Sequence, residues 1–330
     1  MIYDIPLSSR APTGPKIVAV GGGTGLSTML RGLKKYTDRL TAIVTVADDG
    51  GGSGVLRRDM GILPPGDVRQ CMQALANTEP VMEKLLDYRF EEAVAMMGQV
   101  LAISGRVLPV TNTDVQLEAV FENGARVVGE SSIFSAKKQQ DCRIHHVSLL
   151  PEHPKALPDA LRAIEEADLV LLGPGSLYTS VIPNLLVGGV ADAIRSSRAQ
   201  TFYICNIMTQ DGETEGYTAA DHLEALLRHG HEGLIDLCLA NSAPIPQELA
   251  ARYSAEDAEL LRIDRERIAQ MGIALAEYPL LSAAGGYARH DPALLAQAVM
   301  ELYRERTVRI YRGTQQYITE EQETNHHAER

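Results

Sequence analysis

The sequence predicts an α/β fold, a doubly wound and mainly parallel sheet with helices on both faces and a small antiparallel β insertion. Three observations predict it. Short apolar runs such as residues 17–20 (IVAV) show no polar alternation, as strands buried on both faces should. Two of these runs end in a glycine-rich turn followed by apolar residues at helical spacing. Residues 106–150 break this rhythm, alternating apolar and polar residues about Asn123-Gly124, the dipeptide of a hairpin turn.

The first unit is KIVAVGGGTGLS, residues 16–27. Its strand ends in three glycines, and the helix that follows places Leu26, Met29, Leu30 and Leu33 on one side. Backbone N–H groups and a helix N-terminus then converge at Gly22, Gly23, Thr24 and Gly25, an arrangement that favours a phosphate. The plainer alternative is a tight turn that needs glycine for its dihedral angles. A dinucleotide fingerprint does not fit, because Leu26 stands where Gly or Ala is required, and no P-loop run is present.

Residues 40–47 (LTAIVTVA) form the second strand and end in ADDGGGSG. In a doubly wound sheet that end lies beside the first glycine turn, so Asp48 and Asp49 approach any ligand held there. They suit a sugar hydroxyl or a divalent cation, the alternative being a solvated Asp-Gly turn. Next, Pro64, Pro65 and Gly66 make a turn before a helix carrying Val68, Met72 and Leu75, with Asp67 as helix cap or metal ligand. Residues 81–90 and 93–102 read as further helix.

Within the insertion, His145 and His146 are adjacent and should face opposite sides of a strand, which prevents joint ligation of one metal. The βα alternation resumes at residue 156, and residues 168–197 form a second strand–glycine turn–helix unit with Gly173, Pro174, Gly175 and Ser176 at its turn. A strand over 201–205 ends at Asn206, before MTQDGET. Residues 222–230 form an amphipathic helix, 234–242 a strand, 257–271 a charged surface helix and 291–306 a closing helix. Residues 1–15 read as a loose lead-in, 16–310 as a single domain, and 311–330 as a polar, disordered tail.

Composition narrows the function classes. With 31 Lys and Arg against 43 Asp and Glu, the net charge of −12 argues against nucleic-acid binding, as does the lack of tryptophan. The four cysteines, at 71, 142, 205 and 238, form no C-x-x-C and read as thiols in a reducing cytoplasm. No apolar run near 20 residues predicts a membrane span, and the N-terminal residues lack the features of a signal peptide.

Taken together, GGGTGLS, VADDGGGSG, ILPPGDVR, GRVLP, GPGSLYTSVIPNLL and CNIMTQDGET resemble the YvcK-type gluconeogenesis factors, relatives of the 2-phospho-L-lactate transferases. The resemblance runs from about residue 16 to 310 and rests most on GPGSLYTSVIPNLL. It implies a cytoplasmic Rossmann-like protein that binds UDP-sugars, notably UDP-N-acetylglucosamine, with no required cofactor, and that acts through a regulatory protein partner, with a homo-oligomer as a further option. It ties that branch to growth on gluconeogenic carbon sources and to cell-envelope and cell-shape homeostasis, with no catalysed reaction. Tyr253 and Arg289 match the family's sugar-nucleotide contacts, while Gly173, Gly175, Ser176 and Asn206 complete the expected site. The transferase branch implies a metal, such as Mg2+, on Asp49 and Asp67. Three readings follow: a UDP-sugar sensor, which is preferred, a metal-dependent transferase of a phosphate-linked group, and an oligomerisation module that leaves both glycine turns unexplained.

Two departures stand out. The family carries a G-H-x-x-G-N loop and an apolar helix between the DYRF and GRVLP runs, whereas here Phe90 passes directly to Glu91. Asp211 stands where the family usually has proline, which bears on loop rigidity.

Overall fold

The computed structural model describes residues 13–50, 63–76, 103–140 and 142–307. The first twelve residues, the glycines at 51, 52 and 54, the helices expected over 81–102, the Phe90–Glu91 junction and the tail lie outside the described residues.

In chain order the first elements are β1 (Ile17–Gly21), α1 (Gly23–Leu33), β2 (Leu40–Val44), α2 (Gly66–Leu75) and β3 (Arg106–Pro109). The middle of the chain holds β4 (Gln116–Phe121), β5 (Arg126–Val128), α3 (Glu130–Gln140) and β6 (Ile144–Leu150). Then come α4 (Pro158–Glu165), β7 (Leu169–Leu172), a π turn over Leu177–Val181 that runs into α5 (Ile182–Leu185), α6 (Val190–Ser196) and β8 (Gln200–Ile204). The last part comprises α7 (Ala219–Gly230), β9 (Leu237–Asn241), α8 (Gln247–Ser254), α9 (Arg265–Gln270), β10 (Ala274–Tyr278), β11 (Leu281–Ser282) and β12 (Arg289–His290). Helix α10 covers residues 292–307.

Seven strands pair in the order β10-β9-β8-β7-β1-β2-β3, every pair parallel. The chain winds outward from β1 to β3, returns to place β7 beside β1, and winds the other way to β10. The order therefore reverses between β1 and β7, and doubly wound folds bind ligands at the carboxyl ends of the strands flanking that point.

Both faces of the sheet are covered, which is why its strands are apolar without alternation. Val18 and Val20 pack on one face with Ile43, Val170, Leu172 and Tyr203. Ile17 and Ala19 pack on the other with Leu26, Met29, Leu30 and Leu33 of α1 and with Leu295 and Val299 of α10. The four α1 side chains are fully buried at the spacing read from the sequence. Truncating one such leucine to alanine costs about 2–5 kcal/mol.

The antiparallel sheet has the order β5-β4-β6 and begins later than the sequence suggests. Strand β3 belongs to the parallel sheet, pairing with β2, and α3 lies inside the insertion. The Asn123-Gly124 turn does join β4 and β5. Phe121 N–H donates to Ala125 and Gly124 N–H to Phe121, with Gly124 at φ +84°, the left-handed residue of a three-residue hairpin loop.

The two histidines are not kept apart. The β4–β6 register passes from Val120↔His146 to Phe121↔Ile144, which leaves His145 in a bulge. The bulge breaks the alternation that would have separated the rings, and their Nδ1 atoms stand 2.8 Å apart. The charged helix read over 257–271 is shorter than expected. Only α9 is helical, while Leu260 and Arg262 before it bridge to Met208 and Thr218.

Candidate functional site

At the β1 end, Gly22 is extended and Gly23 turns the chain at φ +68°, a conformation costly for any residue with a Cβ. Gly25 meets a different demand. A Cβ there would stand 2.7 Å from the carbonyl oxygen of Pro174, so the two glycine turns touch backbone to backbone.

The second turn is held by side chains from the β8 end. Asn206 brackets Gly175, its Oδ1 accepting the amide at 3.3 Å and its Nδ2 donating to the carbonyl at 2.9 Å. Ser176 Oγ donates to Gln210 Oε1 at 2.8 Å, so its hydroxyl serves the loop rather than a helix end. Glu213 Oε1 accepts from the amides of Tyr178 at 2.7 Å and Thr179 at 3.0 Å. Burial pushes the Glu213 carboxyl up to about 7, against the pull of those amides.

Between the turns lies a cleft of roughly 250 Å³. Thr24, Gly25 and Thr28 of α1 form one wall, Pro174, Gly175 and Ser176 the next, residues 206–210 the floor, and Ala288, Arg289 and His290 the far side. Of the residues expected at the site, Thr24, Gly25, Gly175, Ser176, Asn206 and Arg289 meet here. Among the described lining residues Arg289 is the only Lys or Arg. Its guanidinium sits 4.9 Å from the ring centre of Tyr287, which Arg252 also covers at 4.8 Å. The short β11–β12 pairing, Ser282↔Arg289 and Leu281↔His290, sets this edge of the cleft. Tyr253 is not among the lining residues; its hydroxyl accepts the Ala288 N–H at 3.0 Å.

Gly22, Gly23, Asp48, Asp49 and Gly173 do not line this cleft either. Asp48, Asp67 and Glu130 gather on the β2 side of Gly22 and Gly23. Burial, reinforced by the Asp48 charge, raises Asp67 to about 6 and Glu130 to about 8. Asp67 does not cap its own helix, whose N-cap is Pro65. Its carboxylate accepts instead from the Gly23 amide, because α1 and α2 pack side by side and bring it to the start of α1. Asp49 Oδ1 accepts from the amide of Ser131 at 2.9 Å and from its hydroxyl at 2.8 Å. Asp49 thus tethers the insertion to the β2 loop while Asp67 serves α1. Among the described residues, no group of three His, Cys, Asp or Glu side chains is arranged to hold a metal ion.

These contacts show what the site can do chemically. The start of α1 and the start of the π turn both receive a carboxylate of the protein itself, Asp67 and Glu213. An anionic ligand in the cleft is then left the Thr24–Gly25 wall, the Ser176 side and the Arg289 charge. Sequence reading passed over Gln210, Glu213, Glu130 and His290. Gln210 and Glu213 lie inside the quoted MTQDGET run, and His290 adjoins Arg289. Glu130 carries no local signal, since only folding brings it to Asp48.

Similar proteins are consistent with this architecture. The family model of 2-phospho-L-lactate transferase CofD matches residues 17–93 and 89–281, two pieces that meet at the Phe90–Glu91 junction. A relative from Thermoanaerobacterium thermosulfurigenes is 50% identical over 314 residues, 88% of this chain and 97% of that protein. The gluconeogenesis factor of Bacillus subtilis is 42% identical over 317 residues, 88% of this chain and 99% of that protein. A Bacillus halodurans crystal structure superposes with a TM-score of 0.82 at 40% identity, covering 87% of this chain and all of that one. A second crystal structure from that organism, described as a member of the UPF0052 family, gives a TM-score of 0.80 over 86% of this chain and 99% of that one at 40% identity. The chain belongs to the gluconeogenesis-factor family, within the group that the 2-phospho-L-lactate transferase model describes.

Proposed function

We propose that this gluconeogenesis factor is a regulatory protein whose cleft binds a nucleotide sugar, UDP-N-acetylglucosamine. The observation that carries the reading is the cleft itself. It lies at the switch point between β1 and β7, is walled by both glycine turns, and has one arginine among its described lining residues, Arg289, at its edge. Backbone amides and the Arg289 guanidinium suit a diphosphate, and the polar floor at Asn206, Thr209 and Gln210 suits a sugar or base. Occupancy of the cleft then controls a protein partner in the cytoplasm, which links the sugar-nucleotide supply to growth on gluconeogenic carbon sources and to envelope and cell-shape homeostasis. No helix among the described residues is long and apolar enough to cross a membrane.

Calorimetry tests the reading. UDP-N-acetylglucosamine should bind more tightly than NAD or GTP, with or without magnesium, and Arg289→Ala should weaken it at least tenfold, about 1.4 kcal/mol. Equal affinity for all three nucleotides, or an unchanged Arg289→Ala variant, overturns it.

The transferase reading has one observation in its favour, the three carboxyl groups of Asp48, Asp67 and Glu130 beside the first glycine turn. Among the described residues these carboxyl groups do not form a ready metal site, so in that reading ligand phosphates supply most of the coordination and magnesium binds only once nucleotide is present.

A further inference from the structure

Arg252 and Arg289 share one aromatic ring at the rim of the cleft. Their guanidinium carbons lie 4.8 Å and 4.9 Å from the ring centre of Tyr287, and that tyrosine is 50% exposed. Arg252 comes from the last turn of α8, whereas Arg289 stands in β12 and lines the cleft. Tyr253, next to Arg252, fixes the two elements to each other through its hydroxyl on the Ala288 amide. Gly286 leaves the space that Arg252 needs, since a Cβ there would stand 3.3 Å from its Nη1. Elsewhere arginines are committed to carboxylates, Arg265 to Glu277 and Arg267 to Asp221. Arg252 and Arg289 have no ion pair or hydrogen bond among the described residues. Carboxylates are not scarce, with 43 Asp and Glu against 31 Lys and Arg. Asp291, the acidic residue nearest to Arg289 in sequence, accepts instead from the amides of Ala293 and Leu294.

Two cations held about one ring repel each other, and the electron-rich face of the ring offsets only part of that repulsion. An anion placed across them relieves it and gains charge-assisted hydrogen bonds from both planar forks. We propose that Arg252 and Arg289 together bind a diphosphate, one phosphoryl group on each guanidinium, with Tyr287 holding the pair in place. A monophosphate has one phosphoryl group and occupies one fork, whereas a diphosphate meets both. The site thus selects ligands with two linked phosphoryl groups and seats them at the β12 rim. The cleft floor at residues 206–210 is left to the sugar or base. The proposal deepens the nucleotide-sugar reading above and rests on it for the identity of the ligand, but not for the phosphoryl chemistry.

The test is calorimetry on the full chain, without divalent cations, using inorganic pyrophosphate, UDP-N-acetylglucosamine and uridine monophosphate. Arg252→Ala should lower affinity for the first two by about tenfold or more and for the monophosphate by less than about threefold, with the thermal midpoint close to the parent. Arg252→Lys keeps the charge but not the planar fork and should recover part of the loss. Tyr287→Leu removes the shared ring and should weaken pyrophosphate binding with both arginines still present. A loss shared equally by monophosphate and diphosphate ligands would mark a general charge effect and overturn the assignment. Unchanged affinity of Arg252→Ala for both diphosphates would leave Arg252 a ring-stacked surface residue and overturn it as well. If the parent binds pyrophosphate through Arg252 but not UDP-N-acetylglucosamine, the diphosphate site stands and the nucleotide-sugar reading falls. If it binds the nucleotide sugar but not pyrophosphate, the nucleotide-sugar titration of Arg252→Ala decides by itself. A parent that binds neither overturns both.

Discussion

Replacing Tyr253 with phenylalanine removes one atom and isolates one contact. The lost hydroxyl accepts the Ala288 amide at 3.0 Å, and Ala288 is only 9% exposed, so the variant leaves a buried N–H unpaired. Such an amide costs about 1–3 kcal/mol. The phenyl ring keeps its packing against the small cluster of Ile207, Met208, Leu249 and Ala288, so the loss falls on the seat of β12 and not on the sheet. Arg289 and His290 lie immediately beyond Ala288, and a loosened β12 lowers the fraction of molecules that present them to the cleft. If about 2 kcal/mol falls on that docking step, affinity for UDP-N-acetylglucosamine drops by up to about 30-fold. Calorimetry on the parent, Tyr253→Phe, Arg289→Ala and the double variant checks the route. Acting through β12, the tyrosine should matter little once Arg289 is gone, giving a coupling energy close to the single-variant loss. The same fold-loss in both backgrounds would refute the reasoning and put the hydroxyl on the ligand itself.

Other outcomes follow from the same geometry. Gly25→Ala forces a methyl within 2.7 Å of the Pro174 carbonyl and should cost about 1–3 kcal/mol, spreading the two turns and weakening the ligand; normal stability and affinity by denaturant titration and calorimetry would contradict the backbone contact. Gly23→Ala has room for its methyl but holds φ +68°, so its cost should stay near 1–2 kcal/mol, and a larger loss on chemical denaturation would show that space rather than conformation is limiting. Glu130→Gln tests the carboxyl cluster. The folded state binds more protons than the unfolded one between the ordinary glutamate value of 4.5 and about 8, so parent stability should fall as pH rises through that window. The variant should therefore match the parent near pH 5 and exceed it by on the order of 2 kcal/mol at pH 8, measured by chemical denaturation. Asp49→Asn should leave ligand binding and complementation intact in a sensor; binding without complementation would bring the transferase reading forward.

What the sequence determined by itself was local and periodic. A strand buried on both faces must be apolar throughout, so β1 and β7 could be read from residues 17–20 and 169–172. The α1 stripe, the glycine turns and the Asn123-Gly124 hairpin depend on neighbours within a few residues, and all three are present. What tertiary structure decided were contacts between residues far apart in the chain. Strand β3 looked like part of the insertion because its four residues carry no mark of which sheet they join; pairing with β2 settles it. Strand β10 is half-buried at the sheet edge, so its apolar signal is weak. The site shows the same divide. Glycine, asparagine and arginine in quoted motifs were legible, but Asp67 on the Gly23 amide, Tyr253 on the Ala288 amide and Asp49 on Ser131 were not. Nor was the burial of His290 Nε2 without a hydrogen-bond partner among the described residues, because that depends on everything the fold places around it. Propensity and spacing act within one element, whereas a hydrogen-bond partner 30 or 80 residues away exists only once the sheet has been wound.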